Sequence, residues 1–330
     1  MMQKILITGG AGYIGSHVAE ILTKYKNKIF IVDNLSTGFK KLINKKAKFY
    51  KVNILNTKKI REIIINEKIN SVIHLAASLN ISMGEKSPKI YYKNNVTGTK
   101  SIITACKNTF VKNFIFSSTA AVYKDKIFKV NENSPTKPKS IYGKTKLKAE
   151  NLIKKNLKKS KINFAILRYF NIVGSSNSKK IGQINKYNLL FKNLAAATIK
   201  KNSSINIYGK DYNTKDGTCI RDFIHVSDIS DIHIKVLAKI NKINKSITLN
   251  CGYGIGRTVL EVVKTFIKIS NKNLLINYNP RRKADLEQII SNPNKLKKFL
   301  RWKPKFNNLP LMVKSCIQWE KQIKNIHVKN

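Results

Sequence analysis

The chain has 330 residues, 42% of them hydrophobic, which is enough to bury a large core in one large or two smaller domains. No apolar run approaches the roughly eighteen residues a membrane helix needs, and MMQKILITGG lacks a signal-peptide layout. The four cysteines, Cys106, Cys219, Cys251 and Cys316, lie far apart, so a cytoplasmic protein without a metal site is expected. The formal net charge of +47 comes from lysines spread from end to end among abundant Ile and Asn, as biased base composition would produce; with no basic tail and no interleaved aromatics, neither nucleic acid nor membrane is expected as a partner.

In chain order, KILIT reads as a strand and a helix follows from about Tyr13 to Tyr25. KIFIVD is the second strand, KFYKVNI the third, TKKIREIIINE a helix, and SVIHLAA the fourth strand. A long helix is predicted over Pro88 to Asn108, then a fifth strand in NFIFSS, a helix starting near Tyr142, and a sixth strand in FAILRYF. Strands alternating with helices at this spacing imply a parallel sheet covered on both faces. Beyond Asn171 the pattern loosens into Asn-, Ser- and Gly-rich loops. The expected organisation is an α/β chain: a doubly wound, Rossmann-type domain over residues 1–170 and a smaller C-terminal α/β domain over 171–330 that binds the substrate. Residues of about 222–250 are expected to return to the first domain.

TGGAGYIGSH follows the first strand and opens the first helix, so Gly9, Gly12 and Gly15 fit G-x-x-G-x-x-G. Glycines there permit the tight turn and let backbone approach a pyrophosphate, and the helix N-terminus offers free N–H groups to phosphates. Asp33 ends the second strand about twenty residues on, where a carboxylate accepts from a ribose 2′-hydroxyl and repels a 2′-phosphate, favouring NAD over NADP. SIYGKTK sets Lys146 four residues after Tyr142, on one face of a helix. In so lysine-rich a chain that spacing alone is no evidence. Its weight comes from the glycine turn, Asp33, and the Ser117-Ser118-Thr119 run ending the fifth strand on the same edge. A nearby ammonium would lower the pKa of the tyrosine, which could then take a proton from a sugar hydroxyl, with Thr119 bridging.

These motifs, with VDNLSTG, VIHLAA, YYKNNVTGT, FSSTAAVY, YGKTKLKAE, LRYFNIVG, IYGKDYNTKDGTCIRDFIHVSD and PRRKAD in order along nearly the whole chain, resemble the extended short-chain dehydrogenase/reductase superfamily. The DGTCIRDFIHV and PRRKAD stretches are similar to its UDP-hexose 4-epimerase branch in particular. The resemblance implies a retained NAD, a UDP-sugar substrate interconverted between UDP-galactose and UDP-glucose through a 4-ketose, and a homodimer. It implies catalysis by Tyr142, Lys146 and Thr119. It implies cofactor contacts from Gly9, Gly12, Tyr13, Ile14 and Gly15; from Asp33, Asn34, Leu35, Ser36, Thr37 and Gly38; and from Asn53, Ile54, Leu75, Ala76, Ala77, Asn94, Tyr142, Lys146 and Phe170. Substrate contacts are implied for Thr119, Tyr142, Asn171, Arg221, Arg282, Asp285 and Ile289. Arginines suit a diphosphate because their planar forks make charge-assisted, often bidentate bonds.

The chain departs from this pattern at several places. Asn53 stands where the family has an aspartate, Leu79 where it has a lysine near the cofactor diphosphate, Lys124 where a glycine follows the AAVY tyrosine, and Ala284 where PRRxGD has glycine. The first two imply looser NAD; Ala284 implies backbone strain if positive φ is needed there. Three other readings stand beside the first: a relative acting on another nucleotide sugar such as UDP-N-acetylglucosamine, a non-catalytic NAD-dependent sensor on the same fold, and a basic nucleic-acid-binding protein. A 4,6-dehydratase needs an acid beside the threonine, where this chain has Ala120 and Ala121.

Overall fold

The computed structural model describes residues 2–158, 160–184, 189–200, 203–282 and 285–327; Ala284, with its expected strain, lies outside them. Seven strands form one sheet: β1 (Lys4–Thr8), β2 (Lys28–Asp33), β3 (Lys48–Lys51), β4 (Ser71–His74), β5 (Asn113–Thr119), β6 (Asn163–Tyr169) and β7 (Ile247–Cys251). Every pairing in it is parallel, and the order is β3-β2-β1-β4-β5-β6-β7. The chain builds outward from β1 to β3, returns to the other side of β1, and builds outward again. That reversal defines a doubly wound sheet.

Side chains alternate between the faces with the strand period of two. Ile5, Ile7, Ile31, Ile73, Ile115 and Leu167 join one core, under the helices Tyr13–Leu22 and Val226–Ile243. Leu6, Phe30, Val32, Val72, Phe114, Phe116 and Ile166 join a second core, under Thr57–Asn66, Gly98–Cys106 and Ile141–Leu157. Burial on both faces is why the central strands read as unbroken apolar runs.

The helix expected from Pro88 to Asn108 is a continuous helical segment, Pro88–Cys106, with a π turn at Tyr92–Thr97. Wide turns of this kind recur at functional sites. Here the turn carries Asn94 and Asn95 against the loop after β4. Asn94 Nδ2 donates to Ser78 Oγ at 2.9 Å, Asn95 Oδ1 accepts the Ser78 N–H at 2.7 Å, and Asn95 Nδ2 donates to the Ser78 carbonyl at 3.1 Å.

The seventh strand, β7, comes from late in the chain and pairs with β6. Beyond the carboxyl ends of the sheet a smaller mixed sheet is assembled from Ile220–His225 with Gly256–Thr258, Gln288–Ser291 and Asn171–Val173, and Gln288–Ser291 also pairs with Lys129–Val130. A separate parallel pair joins Ser204–Tyr208 to Leu275–Asn279. No helix among the described residues is long and apolar enough to cross a membrane.

Four histidines, His17, His74, His225 and His233, are buried. Burial holds their imidazoles down, to about 4, 3, 3 and 4 respectively. An unfolded histidine titrates near 6.5, so as pH falls below that value the unfolded chain binds protons the folded chain cannot. Each group then removes up to about 1.4 kcal/mol of stability per pH unit. Buried Asp222 and Asp228, whose carboxyls burial raises, work in the opposite sense nearer pH 4. Urea unfolding should therefore show a steep loss of stability between about pH 6.5 and 5; an unchanged midpoint across that range would contradict the burial of these rings.

Candidate active site

The turn between β1 and the helix Tyr13–Leu22 has no room for side chains. Gly9 has φ +73°, and a Cβ on it would lie 2.7 Å from the Ala76 nitrogen. A Cβ on Gly15 would lie 2.2 Å from the Gly9 carbonyl oxygen, and one on Gly12 3.2 Å from the same atom. Gly12 is the N-cap and no side chain caps the helix, so its first N–H groups are available to a ligand's phosphates. Ile14 packs against the core, while Tyr13 donates its hydroxyl to the Gly174 carbonyl at 2.7 Å, tying the turn to the smaller sheet's loops.

Asp33 ends β2 beside this turn, nearly buried. One carboxylate oxygen accepts the Ala11 N–H at 3.0 Å and the other the Leu35 N–H at 2.8 Å. Burial raises its pKa and these two bonds oppose the rise. A carboxylate has about four acceptor positions, so room remains for a ribose diol. A Cβ on Gly38 would lie 3.0 Å from Asp33 Oδ1, so the loop Asn34-Leu35-Ser36-Thr37-Gly38 closes tightly over the carboxylate. Leu35 carries φ +60°, and Asn34 Oδ1 accepts the Ser36 N–H at 3.1 Å. Asn53 is exposed, and its side-chain carbonyl already accepts the Leu55 N–H at 2.9 Å, leaving one acceptor position for an adenine amine. Ile54 lies under Gly98, where a Cβ would come within 2.5 Å of Ile54 Cδ1. Leu75, Ala76 and Ala77 continue β4 into the crevice, anchored by Leu75 N–H on the Thr8 carbonyl at 3.1 Å. Leu79 is 51% exposed.

On the neighbouring strand β5, the run Ser117-Ser118-Thr119 meets the helix Ile141–Leu157. Ser140 caps that helix by accepting the Gly143 N–H. Tyr142 and Lys146 share the face turned to the strand end. The Tyr142 phenol faces the Thr119 side chain, and Lys146 Nζ lies 3.4 Å from Ser117 Oγ and 4.6 Å from the centre of the Phe116 ring. Tyr142 is half-buried and Lys146 is only 2% exposed. Burial pushes the phenol up to about 12, against the effect of the Thr119 side chain, and brings the lysine down to about 7, against the charge of Glu150.

The facing wall comes from the smaller sheet. Arg221 and Ile289 are register partners on adjacent strands. Ile289 is buried in a cluster with Ala120, Val122, Tyr123 and Phe170, so it sits against the segment that follows Thr119. Asn171 is exposed at the start of its strand, next to Phe170. Arg282 binds Asp285 through two nitrogens, at 2.8 and 3.1 Å, and Arg221 Nη2 lies 4.0 Å from Asp285 Oδ1. Two guanidiniums thus converge on one carboxylate, one of them on the strand that pairs with that of Ile289.

Residues 5–252 match the model of the NAD dependent epimerase/dehydratase family. The chain belongs to this family. It is similar to the UDP-glucose 4-epimerase of Lactobacillus helveticus, 36% identical over 321 residues and 97% of each chain. It is similar to the solved UDP-Glc/GlcNAc 4-epimerase of Campylobacter jejuni, 38% identical, with a TM-score of 0.84 over 97% of this chain and 99% of that one. A UDP-glucose 4-epimerase from Bifidobacterium longum, solved with NAD+ and UDP, is 30% identical with a TM-score of 0.91, covering 98% and 99%.

As a member of the family, the chain carries site features that the motifs did not signal. Arg282 stacks over the Tyr208 ring at 4.7 Å and Arg281 over Tyr212 at 4.1 Å. The tyrosines of IYGKDY could have indicated this, because aromatic faces attract guanidinium. Behind the strand end, Ser118, Glu150 and Arg168 form a buried network; each lies within a quoted motif, but the motifs give them no role, since a helical glutamate ordinarily faces solvent. A cavity of about 770 Å³ beside Asn70, Lys112 and Asn163 lies at the opposite, amino-terminal edge of the sheet and includes none of the candidate residues.

The glycine turn gives a direct test. Gly15→Ala must open the turn, so added NAD should raise the melting temperature of the parent protein but not of the variant. Saturation at a hundred times Kd contributes about 2.7 kcal/mol. An equal rise in both would show that the turn does not hold the dinucleotide.

Proposed function

We propose that the protein epimerises UDP-galactose and UDP-glucose at C4 with NAD as a retained cofactor. The observation that carries this reading is the juxtaposition of Tyr142, facing Thr119, and buried Lys146 at the strand edge that also holds the glycine turn and Asp33. The donor set suits NAD: a turn whose glycines admit no Cβ, an uncapped helix N-terminus, and a carboxylate with acceptor positions to spare. When bound, NAD supplies the acceptor that takes hydride from sugar C4 and gives it back on the opposite face.

The protein's own groups do the rest. Tyr142 takes the C4 hydroxyl proton as hydride leaves and returns it as hydride comes back. Thr119, beside the phenol, holds the hydroxyl in line with it. Lys146 lowers the cost of the phenolate and fixes the nicotinamide ribose. Arg221 and Arg282 hold the diphosphate, with Asp285 on the uridine ribose, so the 4-ketose can turn about a fixed anchor. Ser117, at 3.4 Å from Lys146, steadies the ammonium.

The runner-up is an epimerase that also takes N-acetylated sugars, favoured by the similarity to the Campylobacter jejuni enzyme. Ile289 is where the two readings part. It is buried against Ala120 and Phe170, larger than a residue that would admit an N-acetyl group and smaller than one that would exclude it outright. UDP-galactose should be preferred, and Ile289→Ala should selectively improve UDP-N-acetylgalactosamine. Equal turnover of both sugars by the parent would show that Ile289 gates nothing.

Incubation with UDP-galactose should yield UDP-glucose with no net consumption of NAD. Tyr142→Phe removes one proton acceptor and little volume. It should lower kcat by roughly 10²–10⁴-fold while leaving NAD bound, the usual range for a general acid–base group. Near-parental turnover in that variant would sink the mechanism.

A further inference from the structure

The last three residues of β5 each touch a different residue of one helix. Ser117 reaches Lys146, Thr119 reaches Tyr142, and Ser118 Oγ donates to Glu150 Oε1 at 2.5 Å. Glu150 is wholly buried. Its remaining bonds come from β6, where Arg168 Nε donates to Oε1 at 2.9 Å and Nη2 to Oε2 at 2.7 Å. Arg168 is itself 3% exposed, with Nη1 donating to the Tyr123 hydroxyl at 3.0 Å and the guanidinium 4.9 Å above the Tyr123 ring. A buried carboxylate thus balances a buried guanidinium one helical turn beyond Lys146.

We propose that Glu150 is a positioning residue for the reaction: by neutralising Arg168 at the junction of β5 and the Tyr142 helix, it lets Lys146 keep its charge beside Tyr142. This rests on reading Tyr142 and Lys146 as the reacting pair. Lys146 has no ion pair of its own among the described residues, and its polar contact is the neutral Ser117 hydroxyl. The titratable groups around the pair are Tyr142 and Glu150 on its own helix, His74 on β4, Tyr169 on β6, and Tyr91 from the preceding helical segment. Glu85 accepts the Ile141 N–H at 2.8 Å at the start of the helix, and Lys154 lies 3.8 Å from Glu150 Oε2 on the outer turn. Burial keeps His74 neutral, with a pKa of about 3. Glu150 is the charge that opposes the downward pull of burial on Lys146. A guanidinium cannot give up its proton in a protein. Arg168 is the register partner of Ser118, the neighbour of the Ser117 that contacts Lys146, so without Glu150 it becomes a second uncompensated cation on that side of the lysine, and like charges favour the neutral amine.

The test uses stability, so it does not depend on which sugar is the substrate. Urea unfolding of the cofactor-free protein is compared with that of Lys146→Met across about pH 5–10. Folded Lys146 loses its proton near 7 and the unfolded lysine near 10.5, so the parent should gain stability over Lys146→Met as pH rises through that window. The onset of the gain reads the folded midpoint. In a Glu150→Gln background the onset should fall by about one unit. In Glu150→Asp, which keeps the charge, it should stay within about half a unit of the parent, and in Glu150→Gln/Arg168→Gln, which removes the opposing cation as well, it should fall less than in Glu150→Gln alone. An onset unmoved by Glu150→Gln, or moved equally by Glu150→Asp, overturns the proposal. Should Glu150→Gln fail to fold, Arg168→Gln leaves the carboxylate unbalanced and should move the onset upward; no movement overturns the proposal equally. With UDP-galactose, Glu150→Gln should lower kcat with little change in KM. If the parent turns over no UDP-hexose, the proposed function fails while the stability comparison still decides the role of Glu150.

Discussion

The reversal of strand order at β1 is the constraint on which the rest depends. With β2 on one side of β1 and β4 on the other, successive crossovers diverge to opposite faces, and a crevice opens at the carboxyl ends of these strands. The glycine turn leaves β1 at that edge, Asp33 ends β2 there, Ala76 ends up against Gly9 from β4, and Thr119 ends β5. None of these groups is near another in sequence. They are brought together because parallel strands must all finish on one side. The sheet beneath them is rigid for an elementary reason: Ile5, Leu6 and Ile7 have no exposure, so no central strand can shift without opening two cores at once.

Much of this was legible in the sequence because the relevant signals are local. The strand-turn-helix glycines, the acidic end of β2 and the Tyr/Lys spacing each fix a backbone geometry within a few residues. The π turn at Tyr92–Thr97 was not legible, since its sequence reads as ordinary helix; the reason for it is tertiary, in the bonds from Asn94 and Asn95 to Ser78. The expected return of residues of about 222–250 to the first domain covers most of ITLNC, but its pairing with FAILRYF as the seventh strand was not legible, because only long-range pairing decides where a late strand inserts. The mutual binding of Arg282 and Asp285 was equally hidden: each was expected to face a ligand, and in the structure they face each other.

Composition made the lysine of the Tyr/Lys pair ambiguous, and burial resolves the ambiguity. Of 64 Lys and Arg residues only seven are arginine, so a lysine on a helix is ordinarily a solvated charge in this chain. Lys146 and Lys192 are the lysines found buried among the described residues. Lys192 is paired with Glu320, as a buried ammonium must be if nothing else holds it. Lys146 has no such partner, only a hydroxyl and an aromatic face. A buried lysine left without a carboxylate is costly to the fold, and such costs persist where the reacting site uses them.

The same burial bears on the direction of proton flow. In the proposed epimerisation the proton taken from one sugar must be returned to the other, which would have Tyr142 serve as acid as often as base. Burial raises its phenol to about 12 and draws Lys146 down to about 7, which favours the uncharged form of each. Forming the phenolate therefore depends on the charges gathered around the pair rather than on the tyrosine alone. A tyrosine held mainly neutral, with the Thr119 side chain beside it, would keep its proton ready for the return step of the proposed reaction. Placing that pair on a capped helix, against a strand buried on both faces, keeps the geometry the same for both halves of the reaction.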